Sequence, residues 1–557
     1  MKFKDVKEDS DNLSFFTKTY KNKTVSYDDR IDILREFTGK SERTVRKWAV
    51  KLNLKERVDS IPKELKEAKN KVFNKDKKRF IITWAQNNTP IHERFFTNMK
   101  TYAKKIDADI HVIAGRYRNP TSVFVDAKHD HWHKAVKPYL DANRHDIHKY
   151  VSIMSDIKIQ PTAVNPMNGL QGVSGINSCV FGAPKMQMEM IPVLEGNKPK
   201  MMLTSGACTV NNYTDSKAGK KGEFHHNLGF VIVEIKDDET FFVRQVTATD
   251  DGNFNDLNYN VSFIGKVKKL KFKTLSEKLQ WNDDNFRVDH IEYVGKTKIK
   301  KNKKVSAIIL GDIHYGHHDQ RVLDKTLNFM DKLKPENVIL HDIFDGYSIS
   351  HHEMKDPFAQ YSKEIHNKNN LGKEIDEMLD GLKPFEKYDN VIVVRSNHDD
   401  FIDRWLKNGD WKQQPTPKNS LLYMDYSGRL LKQYSSGDDI KGIIPELVNE
   451  RYPKFKTLGR SDSYRVNGWE LGQHGDVGAN GSRGSLNQFR KLNTKMVVGH
   501  YHSPGRKENV LAVGTLTKLR LGYNKGPSSW AQSNIIIHED GKPQHITFID
   551  DEYTTLF

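Results

Sequence analysis

Cysteine is almost absent from this sequence. Cys179 and Cys208 are the two present, and they form no CxxC pair. That excludes a disulfide framework and a thiolate zinc site, and it suits a reducing cytoplasm. Long apolar runs are missing as well. No stretch approaches the roughly 20 consecutive apolar residues that a bilayer-crossing helix needs, so no membrane association is expected. The opening residues, MKFKDVKEDSDNLSFF, mix basic and acidic side chains without an apolar centre and do not read as a secretory signal. Internal repeats and low-complexity blocks are also lacking. Apolar residues reach only 36%, yet aromatics stand at 10%, which disordered chains do not have. A folded chain of 557 residues is too long for one ordinary core, so two or three domains are expected.

Positive charge is what the sequence has in excess. The formal net charge is +17, with 23 histidines uncounted. A basic surface attracts phosphate polymers and steers their encounter. Charge alone is a modest pointer, because Lys-rich chains are often simply soluble.

Residues 1–60 contain a module at 26–55 with the pattern of two short helices. Ile31, Leu34 and Phe37 share one helical face, Gly39 supplies a stop, and Ser41 is an N-cap. Val45, Trp48 and Leu52 then recur at three- and four-residue spacing. Two helices around a Gly-containing turn resemble a helix-turn-helix, with DNA as the partner. The second helix would present Arg43, Arg46, Lys47 and Lys51 to phosphates or to the major groove. The rival reading is a helical hairpin whose basic face is merely soluble. Residues 61–78 read as a Lys-rich linker.

Residues 79–295 read as an α/β domain of unknown role. RFIITWA (79–85), the helical IHERFFTNMKTYAKKI (91–106) and DIHVIAG (109–115) form a strand–helix–strand unit, which implies parallel strands. GFVIVEI (229–235) and TFFVRQVTA (240–248) are further strands. GVSGINS (172–178) is too weak a glycine pattern for a nucleotide site. His129, His131 and His133, with His225 and His226, match no ligand template, and HDHWHKAVKPYL reads as the start of a solvated helix. A second Lys-rich stretch, KTKIKKNKK (296–304), reads as a junction.

Residues 304–557 carry the chemistry. VSAIILGD (305–312), NVILHD (337–342) and NVIVVRSNHD (390–399) are apolar strands that run into polar loops, separated by helices near 322–333 and 373–382. KMVVGH (495–500), VLAVGT (510–515) and NIIIHED (534–540) are later strands. In open α/β sheets, ligands bind beyond the carboxyl ends of strands. The loops there read GDIHYGHHD, HDIFDG, RSNHDD, GQHGD and GHYH. Two divalent ions that share a carboxylate can activate water and offset charge on a phosphoryl group. Mixed His, Asp and Asn ligands suit manganese, iron or zinc better than calcium or magnesium. Manganese is favoured for the pair, with magnesium, iron and zinc left open. His317, His318, His351 and His352 lie near these loops, and exposed polar loop residues are their commoner explanation. The long segment between Asp399 and His474 is expected to form a lid or wall beside the site.

The order D-x-H, D-x-x-D, N-H-D, lone His and G-H-x-H resembles the calcineurin-like metallophosphoesterases. That resemblance implies a C-terminal two-layered β-sandwich flanked by helices. It implies one metal on Asp312, His314, Asp342 and His502, and a second on Asp342, Asn397, His474 and His500. Asp342 would bridge, His398 would act on the leaving oxygen, and Asp345 and Asp399 would orient a ligand or His398. His341 and Ser396 stand where the family has glycine, which puts the loop geometry in question. The motifs are similar to the nuclease branch, which includes double-strand-break-repair nucleases. The layout is also similar to the host-DNA-degrading nucleases of T-five-type siphophages. The resulting expectation is a metal-dependent deoxyribonuclease in the cytoplasm. Its rivals are a phosphatase or small-molecule phosphodiesterase, and a DNA-binding adaptor with a non-catalytic metal domain. Endo- or exonuclease action, strand preference, homo-oligomerisation and protein partners are left open.

Overall fold

The computed structural model describes residues 1–22, 25, 27–52, 54, 63–68, 76–119, 121, 130–437, 440–522 and 524–556. Much of the expected 61–78 linker, and His129, lie outside the described residues. The chain divides into two compact units, Met1–Lys63 and Glu64–Phe557.

Among the described residues, the first unit contains the helices Phe3–Glu8, Ser10–Lys21, Tyr27–Thr38 and Glu42–Lys51. The two helices expected from the sequence form, but the preceding pair completes their core. Val6, Phe16 and Tyr20 pack with Ile31, Leu34, Val45, Trp48 and Ala49. Two amphipathic helices of this length bury too little alone, which is why the earlier pair is recruited. Gly39 takes φ +61 and its N–H donates to the Arg35 carbonyl at 2.8 Å, a left-handed helix stop. Ser41 occupies the N-cap position without a side-chain capping bond.

The second unit is mixed α/β. The expected strand–helix–strand opens it as Arg79–Gln86, Glu93–Lys105 and Asp109–Gly115. The two strands pair in parallel, from Phe80 opposite Asp109 to Gln86 opposite Gly115. They sit in a five-stranded sheet with Gly229–Ile235, Phe241–Thr247 and Leu140–Asp141.

The metal-bearing half is built on a six-stranded sheet. Its order is Lys456–Leu458, Val391–Val394, Val338–His341, Ala307–Ile309, Ser533–Ile537 and Pro543–Thr547. The first four strands are parallel and almost wholly buried, the pattern of a sheet covered on both faces. On one face, Ile308, Leu340 and Val393 join a helical core with Phe329, Met378, Trp405 and Ile444. On the other, Ile309, Ile339, Ile392 and Ile535 pack with Trp469, Val497, Leu511 and Val513 of a second sheet.

That second sheet has ten strands and changes the expected domain plan. Five strands between Arg144 and Thr204 continue into five between Arg465 and Ala512. The seam is antiparallel, with Arg506 opposite Met188 and Lys507 opposite Gln187. Residues 79–295 are therefore not divided from residues 304–557. Buried polar contacts also join the two halves of the sequence. Arg506 donates to Thr247 Oγ1 at 3.1 Å, and Gln544 donates to Asp256 Oδ1 at 2.9 Å.

Two local expectations are also corrected. KTKIKKNKK is not a junction: most of it is the end of the strand Ile291–Lys301, paired antiparallel along its whole length with Tyr259–Lys269. HDHWHKAVKPYL is not a solvated helix. Trp132 and His133 are buried, and the segment forms turns and a 3-10 helix at Lys137–Tyr139. The region between Asp399 and His474 folds as the helices Asp399–Asn408, Pro417–Ser436 and Ile443–Arg451. Their apolar faces, through Ile402, Trp405, Tyr426, Leu430 and Val448, enter the helical core. No helix among the described residues is long and apolar enough to cross a membrane.

Candidate metal centre

Each of the five loops reaches one buried pocket at the carboxyl end of the six-stranded sheet. Asp312 and His314 follow the strand Ala307–Ile309, and Asp342 and Asp345 follow Val338–His341. Asn397 and His398 follow Val391–Val394, and His500 and His502 follow Lys495–Val498. His474 follows the short strand Trp469–Glu470. Asp312 and His314 lie beyond the strand end with one residue between them. His314, Asp342, His500 and His502 have φ between 43 and 73, a left-handed conformation that costs non-glycine residues energy. Backbone strain of this kind clusters at active sites and ligand clamps.

Two sets of donors emerge. Asp312, His314, Asp342 and His502 are all buried, and one ligand atom from each lies within 4.8 Å of the others. His314 Nε2 is 3.1 Å from His502 Nε2 and 3.3 Å from Asp342 Oδ2. His502 Nε2 is 3.3 Å from Asp312 Oδ2. The second set continues from the same carboxylate oxygen. His474 Nε2 is 3.1 Å from Asp342 Oδ2 and 3.2 Å from Asn397 Oδ1. His500 Nδ1 is 3.1 Å from that Asn397 oxygen. Asp342 thus stands between the two groups.

The donor set fits cations. All four carboxylate oxygens of Asp312 and Asp342 are buried and receive no hydrogen bond. Burial, joined by repulsion from Asp342, pushes the Asp312 carboxyl up to about 7. Against the lowering effect of burial, Asp342 and Asp312 push the His474 imidazole up to about 9. Two adjacent buried carboxylates demand positive charge, which divalent ions supply. Gly499 leaves the necessary room. A Cβ there would stand 2.5 Å from Asp312 Oδ1 and 3.0 Å from His474 Nδ1.

The remaining expected residues are placed as follows. His398 Nδ1 donates to the Asp345 carbonyl at 2.6 Å, and its ring stacks on Phe401 at 4.7 Å. Its ring also lies 4.5 Å from that of His314. The Asp345 carboxylate is 3.0 Å from His314 Nδ1 and so orients that ring, as outer-shell carboxylates do. Asp399 does not touch His398 or a ligand through its side chain. It accepts from Ser396 N at 2.9 Å and closes the loop. Ser396 Oγ accepts in turn from the backbone N–H groups of His398 and Asp399, both at 3.2 Å. A side chain at that position therefore does the work of a glycine turn by hydrogen bonding. His341 is the residue sequence reasoning missed. Its Nδ1 lies 3.4 Å from His474 Nδ1, on the side of the ring away from Asp342.

The other histidines do not build a second centre among the described residues. His226 holds the Tyr213 hydroxyl at 2.6 Å and the Thr209 carbonyl at 2.8 Å. His133 Nδ1 accepts from Ala135 N at 3.2 Å. The His351 ring lies tilted 3.8 Å from that of His352 and contacts Arg404 at 2.9 Å. On the helix Glu42–Lys51, Arg43 and Lys47 are exposed. Arg46 pairs with Glu42 at 2.5 Å, and Lys51 lies 5.1 Å from the Phe3 ring centre.

No family model matches the chain. One solved crystal structure aligns over 44% of this chain and 98% of its own, at 11% identity and a TM-score of 0.22, which carries no argument about fold. Protein A1 of Escherichia phage T5 is 30% identical over 492 residues, spanning 86% of this chain and 83% of that protein. At that identity and coverage, the chain belongs to the family of phage T5 Protein A1.

Proposed function

We propose that this protein is a two-metal phosphoesterase of the calcineurin-like type, and that its substrate is DNA. The observation that carries the reading is the shared position of Asp342 between two donor sets, drawn from five loops in the family's order. Divalent ions bound there would activate water and offset charge on the phosphoryl group. The chain's own part is to hold the donors rigid and to manage the leaving oxygen. Asp345 fixes His314, and His341 backs His474. His398 uses Nδ1 for the Asp345 carbonyl, which leaves Nε2 for the leaving oxygen; in its imidazolium form the ring would give that oxygen its Nε2 proton.

DNA as substrate rests on separate support. The net charge is +17, the first unit has an exposed basic helix, and the relative is a phage protein. Degradation of host DNA during infection is the role these features fit. A phosphatase shares the same core, because substrate choice lies in surrounding loops. The deciding experiment incubates the purified protein with plasmid, linear duplex and single-stranded DNA, each with Mn²⁺, Mg²⁺ or EDTA. Metal-dependent cleavage that EDTA stops is expected. Hydrolysis of a phosphomonoester with no cleavage of any DNA would make it a phosphatase.

A further inference from the structure

The strands Tyr259–Lys269 and Ile291–Lys301, each eleven residues long, pair as a ribbon that is two-stranded beyond Val261, where the short strand Phe254–Asp256 ends. Cross-strand pairs point to the same face, and alternate pairs point to opposite faces. One face is braced on the helix Glu93–Lys105. Thr297 Oγ1 donates to Asn98 Oδ1 at 2.8 Å, and the Arg94 guanidinium lies 5.1 Å from the Tyr293 ring centre. Glu93 accepts from Arg287 at 2.6 Å and from Tyr293 N at 3.3 Å.

The opposite face carries Lys266, Lys268, Lys296, Lys298 and Lys300, all exposed. Glu292 is the single acid among the residues of that face. None of the five ammonium groups has a carboxylate partner among the described residues. Lys300 and Lys296 repel Lys298 enough to lower it below the usual lysine range. A row of unpaired like charges costs energy unless an anion covers it. Successive lysines on one strand are about 6.7 Å apart, close to two axial steps of about 3.4 Å in duplex DNA.

We propose that this lysine face of the ribbon grips the phosphate backbone of duplex DNA. The proposal rests on the reading of the chain as a DNA-cleaving enzyme. The ribbon joins the metal-bearing sheet before Ala307, at the end of that strand away from Asp312. Its lysines therefore lie outside the metal-binding loops and act on affinity for long DNA rather than on bond cleavage. Lysine offers point charges without base-edge geometry, so the grip is independent of sequence.

The test compares the full-length protein with a variant in which all five lysines are changed to Thr, which keeps strand propensity. Binding to a duplex of about 40 base pairs is measured in EDTA across several salt concentrations. Affinity should fall at least tenfold at about 0.1 M salt, and the salt slope should become shallower by up to about 4.5, some 0.9 per lost contact. Hydrolysis of a chromogenic nitrophenyl phosphodiester with Mn²⁺ should be unchanged. A second variant, Lys298→Thr with Lys300→Thr, should give a smaller loss in the same direction and covers any folding defect of the first. Equal affinity and slope in a folded variant would overturn the ribbon proposal and leave the nuclease reading standing. A wild-type protein that hydrolyses the small ester but binds no DNA would overturn both. A change of oligomeric mass at constant DNA affinity would make the face a contact between copies and refute the proposal.

Discussion

At His398 the ring is held from three sides, by the Asp345 carbonyl, the Phe401 face and the edge of His314. His398 lies outside the two donor sets around Asp342, in a neighbouring group with His314 and Asp345 whose ligand atoms lie within 4.8 Å of one another. His398→Ala should therefore keep the metal content of the wild type while slowing cleavage by roughly a hundredfold or more, the scale of a lost general acid. Metal analysis alongside single-turnover cleavage separates the two effects. Loss of metal in this variant, with normal turnover by the metal-loaded fraction, would reverse the assigned roles. His341 and Ser396 show where residue-level reading stops. Both are legible as departures from glycine, but their roles depend on partners 133 residues away in one case and on a three-residue loop in the other.

Among the elements, strands that end in Asp, His or Asn were the most legible. Short apolar runs that lead into a polar loop bearing Asp, Asn or His have few structural explanations, so Val338–His341 and Val391–Val394 stand where the sequence places them. Segments whose charge hides their periodicity were not. In the strand Ile291–Lys301, exposed lysines alternate with half-buried Thr297 and Ile299, and composition alone suggests a linker. The N-terminal helices were half legible, because Val6 and Phe16 lie before the pattern that marks the module. That unit ends at Lys63, so removing residues 1–60 should leave the metal-bearing unit folded. Small-ester hydrolysis should persist, while DNA affinity falls and its salt dependence becomes shallower. Arg46→Glu with Lys47→Glu should reproduce much of that loss. Titrations at several salt concentrations check this, and equal slopes for both proteins would give the module another task.

At the scale of the whole molecule, the ten-stranded sheet joins residues from both halves of Glu64–Phe557 into one compact unit. Residues 304–557 alone would expose the edge at Gly505–Lys507 and leave the buried Arg506 without Thr247. Unpaired edges and orphaned buried charge both destabilise a domain. The 304–557 fragment should be insoluble or lack a cooperative melt, whereas 64–557 should unfold in one transition. Circular dichroism on heating reads both. A stable, metal-binding 304–557 fragment would show that the shared sheet is dispensable.

In the proposed function, Asp342 would hold two cations for phosphodiester cleavage. Asp342→Asn tests it most directly, with bound manganese per chain and DNA cleavage measured on the same preparations. The wild type should hold about two ions and cleave in an EDTA-sensitive manner. The variant, whose neutral amide cannot bridge two cations, should lose metal and cleavage together. Full cleavage with unchanged metal content in Asp342→Asn would contradict the account.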